Sequence, residues 1–271
     1  MLAVPSTCSS VDDHVAPTTF TLSGRRLLLA TDGSPASAAA IHVADALARE
    51  HDAEVHVLHV ADTRPGTPAR AIVQETQSIE AALIVLGLRR HGRLDRALHD
   101  ETTLSVVRSA RCPVLAVATG TTGVPKRVLA AMDFSPSSMD AARVARAIMR
   151  PGGTMVLAHV PPSVRSDPRD GEREIRELGV QAAFSKFAHE LAGNGPAIDH
   201  VVLHREMDYS IAELLLDYAD GAQMDMICVG SMGQGRLERW LLGSVSTDLV
   251  RNGRHTVLVV PPRWRGTAIG E

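Results

Sequence analysis

Aromatic residues make up only 3% of this chain of 271 residues, and no Lys/Arg-rich block stands out in it. A protein that grips nucleic acid without sequence preference needs clustered cations for phosphates and rings for bases, so this composition, with a formal charge of -3, argues against that class. Cysteine is scarce as well. Cys8, Cys112 and Cys228 stand far apart without metal-ligand spacing, and a reducing cytoplasm fits that usage. No apolar run reaches membrane-spanning length, so no membrane partner is expected. Residues 1–23 carry Pro5, Ser6, Ser9, Ser10, Asp12, Asp13 and Pro17 with neither an apolar period nor a signal-peptide core, and read as a disordered leader. What remains is ordinary for a soluble globular protein: 45% hydrophobic and 22% charged residues, in a length that suits one large or two small domains.

From Arg25 the chain becomes regular. Arg25-Arg-Leu-Leu-Leu-Ala-Thr31 is a near-continuous apolar strand of the kind buried in parallel sheets, and Asp32-Gly33-Ser34-Pro35 ends it. Ser34 and Pro35 suit the start of a helix in which Ala38, Ile41, Ala44 and Ala48 recur at helical spacing, and a second strand follows over Glu54 to Val60. The pattern then recurs. Lys126-Arg-Val-Leu-Ala-Ala-Met-Asp133-Phe-Ser135-Pro136 repeats Arg25 to Pro35 at an offset of 101, and Val156-Leu-Ala-His-Val160 repeats Val57-Leu58-His59-Val60. Arg111-Cys-Pro-Val-Leu-Ala-Val117 recurs as Arg254-His-Thr-Val-Leu-Val-Val260 at an offset of 143, so the second copy is longer by 42 residues. The extra length fits a helix over about residues 173–192, with Ile175, Leu178, Ala182, Phe187 and Leu191 apolar, and a strand from Asp199 to Leu203. The first copy has neither, and carries one short helix of about Ala69 to Ser78 in that interval.

Strands alternating with helices make the fold class α/β: two tandem flavodoxin-like or Rossmann-like domains with parallel sheets of order 3-2-1-4-5. The first, 24–120, lacks the edge strand and a helix; the second, 125–262, is complete, and 263–271 is a tail. In such sheets ligands bind beyond the strand C-termini, at the switch point between first and fourth strands. Asp133 ends the first strand of the second copy and Gly230 ends its fourth.

The stretch Cys228 to Thr247 is where phosphate chemistry is expected. An apolar strand over Met224 to Val229 leads through Gly230, Gly233 and Gly235 into a helix of Val245 to Arg251, with Gly243 and Ser244 at its start. Glycine lets a ligand approach backbone closely, and a helix start with Ser244 as N-cap offers free N–H groups and the positive end of a dipole. The loop is neither a Walker A loop nor a dinucleotide fingerprint, since no Gly-Lys-Ser/Thr follows and Glu238 occupies the sixth position of the motif that begins at Gly233. An alternative is that the glycines only shape a strand-to-helix turn. The spacing Gly230-x2-Gly233-x9-Gly243-Ser244 resembles the ATP-binding signature of the universal stress protein family.

That resemblance covers about Arg25 to Pro262 as two tandem domains. It implies that ATP, with Mg as an option, is the cofactor, that Asp133 faces the adenine, and that Val160 contributes backbone contacts to it. Gly230, Gly233, Gly243 and Ser244 would surround ribose and phosphates, with Val245 and Ser246 donating nearby. It also implies antiparallel pairing of the two last strands, here within one chain, with a homodimer as a further option. The expected function is a nucleotide-dependent regulatory module of the stress response; the alternative is a slow ATPase or another adenine-nucleotide-handling enzyme. The first copy departs from the motif, because the positions matching Gly233, Gly243 and Ser244 hold Arg90, Asp100 and Glu101, and carboxylates repel phosphate there.

Other residues have plainer readings. His59 and His159 are expected as hydrogen-bonded core residues, Asp32 as a turn residue, and Arg165 to Arg176 as a solvated loop and helix start. Leu237, Trp240, Leu241 and Leu242 are expected to pack the loop on its own domain, and Glu238 to form a surface ion pair. No catalytic residue and no metal cluster is read from the chain.

Overall fold

The computed structural model describes residues 20–60, 67–88, 100–162, 170–192, 198–205, 209–232 and 242–262. Its first half runs β1 (Arg26–Thr31), α1 (Pro35–His51), β2 (Glu54–His59), α2 (Thr67–Ser78), β3 (Leu83–Leu88), α3 (Asp100–Ser109) and β4 (Val114–Ala118). The second runs β5 (Arg127–Ala131), α4 (Pro136–Ile148), β6 (Thr154–His159), α5 (Asp170–Ala192), β7 (Ile198–Val202), α6 (Ile211–Gly221), β8 (Met226–Gly230), α7 (Ser244–Asn252) and β9 (Thr256–Val260). The tail and most of the leader lie outside the described residues. The leader was expected to reach residue 23, yet Phe20 and Leu22 are buried in the core, so order begins before that boundary.

The strands form one nine-stranded sheet, ordered β2-β1-β3-β4-β9-β8-β5-β6-β7. The second half supplies the 3-2-1-4-5 order whole, and the first supplies it without the edge strand, as the 42-residue difference requires. The two expected sheets are one because β4 and β9 pair antiparallel, Val114 opposite Val259 and Leu115 opposite Leu258, while every other pairing is parallel. Each last strand thereby covers the apolar edge of the other. The antiparallel junction also sends the C-terminal edges of the two halves to opposite sides of the sheet.

Both faces of the sheet are covered, which is why β3, β4, β8 and β9 read as unbroken apolar runs. One core layer joins Leu27 and Leu29 to α1, α4 and α5; the other joins Leu28 and Ala30 to α2, α3, α6 and α7. Local signals start the helices. Ser135 caps α4 by accepting from Ser138 N at 3.2 Å, and Ser210 with Glu213 closes a capping box at α6.

Two expectations need correction. His159 is buried and donates from Nδ1 to Met132 O at 2.7 Å, but His59 is exposed, because β2 is the edge strand of the sheet among the described residues whereas β7 pairs with β6. In α5 the core face is Phe184, Phe187 and Leu191, whereas Ile175 and Leu178 in its first turns are 73% and 62% exposed. Neither residue belongs to the core layer that holds Phe184, Phe187 and Leu191.

Candidate functional site at the carboxyl edge of the second half

Three strand ends meet at this edge. β5 lies between β6 and β8, with Ala131 opposite Ala158 and Ala130 opposite Cys228, so Asp133, Val160 and Gly230 follow neighbouring strands into one crevice. The β5 end is held to β6 by Met132 N, which donates to Ala158 O at 2.7 Å, and by the His159 bond to Met132 O. Asp133 is half-buried and its Oδ1 accepts from Ser135 N at 3.0 Å, a turn that directs the chain into α4. Asp32 makes the equivalent bond to Ser34 N at 2.9 Å, in keeping with the turn reading of that residue.

Between Asp133 and Ser135 the backbone of Phe134 is left-handed, φ 59°, where the first half has Gly33 at φ 74°. A non-glycine residue holds that conformation only when its surroundings enforce it. Phe134 is locked by rings: His159 lies 4.9 Å from it and Phe184 meets it edge-on at 5.1 Å, while Phe184 in turn stacks on His200 at 4.7 Å. The turn is therefore built from a strand, a helix and an edge strand that the first half lacks in part.

The far side of the crevice is the start of α7. Ser231 N donates to Val260 O at 2.8 Å, and Gly243 N donates to Ser231 O at 2.8 Å, which closes the loop onto its own beginning. Ser246 reinforces the closure by donating from Oγ to Gly243 O at 3.0 Å and lies buried, so its hydroxyl is engaged by the protein itself. The N-cap is Gly243, not Ser244 as expected; Ser244 is the first helical residue. No side chain caps this helix. Its first intrahelical bond runs from Thr247 N to Gly243 O, so the amides of Ser244, Val245 and Ser246 are the donors that a helix start leaves over.

Glycine at 230 has a packing reason. A Cβ there would lie 2.5 Å from Ser137 Oγ and 2.9 Å from the Ser137 carbonyl carbon, so α4 rests directly on the end of β8. Two hydroxyls beside this contact, Ser137 Oγ and Ser231 Oγ, are buried without a hydrogen-bond partner among the described residues. Ser231 sits inside the stretch that the sequence reading singled out and was passed over; Ser137 is one of several serines at a helix start, with nothing to distinguish it. Gly233, together with Gly235, Arg236, Leu237, Glu238, Trp240 and Leu241, lies outside the described residues. Leu242 is described and packs against the core layer that contains α7.

The first half does not repeat this arrangement within the described residues. Arg90 lies outside them, and so do the side chains of Asp100 and Glu101. The thiols take no part: burial pushes Cys112 up to about 12 and Cys228 further still, so both stay protonated and inert. Among the described residues no group of three or more His, Cys, Asp or Glu could hold a metal ion. None of the described helices is long and apolar enough to cross a membrane.

The sequence model of the universal stress protein family matches residues 24–69, 63–118 and 125–261. A universal stress protein of Mycolicibacterium smegmatis is 32% identical over 230 residues, which are 82% of this chain and 74% of that protein. One from Mycobacterium tuberculosis is 30% identical over 200 residues, 71% of this chain and 65% of the relative, so the chain spans less than two thirds of that relative. In fold, the chain is similar to the crystal structure of a universal stress protein from Archaeoglobus fulgidus, with a TM-score of 0.58 at 17% identity over 89% of this chain and 97% of that one.

Proposed function

The chain belongs to the universal stress protein family, and on that premise we propose that it is a regulatory module that holds one ATP per chain in its second half. The observation that carries the reading is the closure of the loop by Gly243 N on Ser231 O at 2.8 Å, which sets an uncapped helix start beside the strand ends bearing Asp133 and Val160. Phosphate oxygens are what such a helix start accepts, and Ser137 and Ser231 add two hydroxyls that lack partners. The donor set therefore fits a nucleotide. In this reading Asp133 and Val160 serve the adenine, while Gly230, Gly233, Gly243, Ser244, Val245 and Ser246 line ribose and phosphates.

Binding without fast chemistry is the expected mode. Phosphoryl transfer needs an oriented nucleophile and cations on the transferred group. Within the loop itself the charged residues are Arg236, Glu238 and Arg239, in an Arg-Leu-Glu-Arg stretch that suits a surface ion pair. Turnover should fall far below the roughly 1 to 100 per second of kinases. Mass spectrometry of ligand released from the purified protein, followed by titration calorimetry with ATP, tests the proposal. One site per chain is expected; two equal sites would show that Arg90, Asp100 and Glu101 do not block the first half, and no nucleotide at all would end the reading.

A further inference from the structure

A second polar crevice lies on the opposite side of the second half, away from the carboxyl edge of β5 and β8. The connection between the halves, residues 119–126, crosses the N-terminal ends of β5, β8 and β9 and forms with them a half-open crevice of about 460 Å³. This wall is fixed. Val124 and Pro125 are buried, Thr121 N donates to Ala118 O at 3.1 Å, and Thr121 Oγ1 lies 2.8 Å from the buried Thr256 Oγ1, which also accepts from Ala118 N. Gly120 and Gly123 turn the chain at φ 87° and 79°, with nothing within 4 Å of a Cβ placed on either.

Charge is distributed unevenly around this cavity. Arg254 and His255 are compensated, because Asp220 lies 3.2 Å from the first and within hydrogen-bond reach of the second. The Asp225 carboxylate also faces the cavity, but its Oδ2 accepts from Lys126 N and Arg127 N, both at 2.8 Å, and so anchors the start of β5. Lys126 and Arg150 have side chains without an ion-pair or hydrogen-bond partner among the described residues. They are held together by the backbone: Arg150 N donates to Pro125 O and Thr154 N to Lys126 O, each at 2.8 Å. Lys126 and Arg150 outnumber Asp225, the one lining carboxylate without a cationic partner among the described residues, and Thr122 lines the same crevice, so the excess positive charge attracts an anion, and guanidinium and ammonium together suit phosphate oxygens.

We propose that this crevice at the junction of the halves binds a small phosphate-bearing anion through Lys126 and Arg150, independently of the nucleotide crevice. A crevice of about 460 Å³ is of the size that takes a small molecule. Because the linker and the second half both contribute, a bound anion would brace the only covalent connection between the two domains.

Titration calorimetry on the full chain, with inorganic pyrophosphate as the probe in low-salt buffer, tests this. Lys126→Gln and Arg150→Gln should each weaken one binding event about tenfold, and the double variant should remove it, since each loses a charge-assisted bond. Both side chains are exposed, so neither change should disturb folding. Hydrogen exchange gives a second readout, with pyrophosphate protecting the backbone of residues 118–126 in the unmodified chain and not in the double variant. An isotherm of the double variant that superimposes on the parent's, or pyrophosphate that protects only residues around 231–246, would overturn the proposal. So would the absence of any binding at millimolar probe.

Discussion

Replacing Gly230 by alanine separates two reasons for having glycine at the end of a strand. If it stands there so that a ligand can approach backbone, Gly230→Ala lowers affinity and leaves stability alone. The structure argues otherwise: the added Cβ would sit 2.5 Å from Ser137 Oγ and 2.9 Å from both the carbonyl carbon and Cβ of Ser137, inside the 3.0 Å that real Cβ atoms essentially never show. The hydroxyl can rotate away, but the carbonyl carbon cannot. It moves only if α4 moves, and α4 is pinned by Ser135 at its start and by Ala141, Ala142, Val144, Ala145 and Ile148 in the core. Overpacking of this kind costs about 1 to 3 kcal/mol, offset by roughly 0.5 to 1 kcal/mol from replacing glycine in a strand, so a net loss of about 1 to 2 kcal/mol is expected. For a unit of this size that lowers the melting temperature by roughly 2 to 8 °C.

The partner residue sharpens the test. Ser137→Ala alone removes a buried hydroxyl without a partner and should be close to neutral in the free protein, because an unmade hydrogen bond is not lost. In the double variant the 2.5 Å contact disappears and the 2.9 Å contacts remain, so less than half of the loss should be recovered. Gly243→Ala is the contrast. Its Cβ would meet Ser231 O and Ser246 Oγ at 3.4 Å with φ already at −63°, so stability should stay within about 0.5 kcal/mol of the parent. Scanning calorimetry on the four variants decides. A Gly230→Ala protein that melts within 1 °C or so of the parent would refute the packing argument.

Other expectations follow from the same structure. Val57 and Leu157 hold the fourth place in β2 and β6, yet Val57 is 58% exposed and Leu157 fully buried; Leu157→Ala should cost about 2 to 5 kcal/mol and Val57→Ala about 0.5 kcal/mol or less in denaturant titration, and equal losses would mean that β2 is covered. On the proposed reading, Ser244→Ala should weaken ATP by about 1 to 2 kcal/mol and Gly233→Asp should abolish binding with the fold intact, measured by calorimetry alongside circular dichroism. Unchanged affinity in Gly233→Asp would put the nucleotide elsewhere. Bonds from Ser210 hold the Glu213 carboxyl below its ordinary value of 4.5. Its contribution to α6 is therefore present above that value and lost as pH falls through the lower folded one. Melting curves should show the advantage of the parent over Glu213→Ala at pH 6 fading towards pH 3, and an advantage that persisted in acid would exclude the carboxylate as its source.

The parts of this fold legible in the sequence were those where local pattern and tertiary need agree. The apolar runs at Arg26–Thr31 and Arg127–Ala131 are covered on both faces and followed by Ser-Pro helix starts, so strand, turn and helix were each specified twice. The 42-residue difference located a whole helix and edge strand, and antiparallel pairing of the last strands was foreseen from their exposed apolar edges and the family resemblance. Helix α6 is missing from the sequence reading although Ser210 and Glu213 form a capping box that marks its start. Exposure was less legible than element type. Nothing in Ile175 or Leu178 states that they stay outside the core layer, and nothing in His59 states that β2 is an edge strand. At the site, Gly230 was readable as necessary but not for the reason found, since only the folded chain brings Ser137 against it.

The missing strand and helix have a consequence for the asymmetry of the chain. In the second half, α5 and β7 supply Phe184 and His200, which pack the rings that hold Phe134 in its left-handed turn after β5. The first half cannot hold a side chain there in the same way, and has Gly33, which needs no such support. Gly33 therefore accommodates the truncation, and Phe134 depends on the full domain. Deleting β7 and α5 from the second half should thus disturb more than an edge: with His159 exposed as His59 is, Phe134 would lose the Phe184 ring and keep only its contact with His159. Transferring glycine to the second half, Phe134→Gly, would by the same logic relieve a strained φ but free the turn, so that any nucleotide affinity residing at Asp133 should fall while the intact sheet still melts cooperatively. Retained affinity in Phe134→Gly would show that the turn holds its shape without the rings.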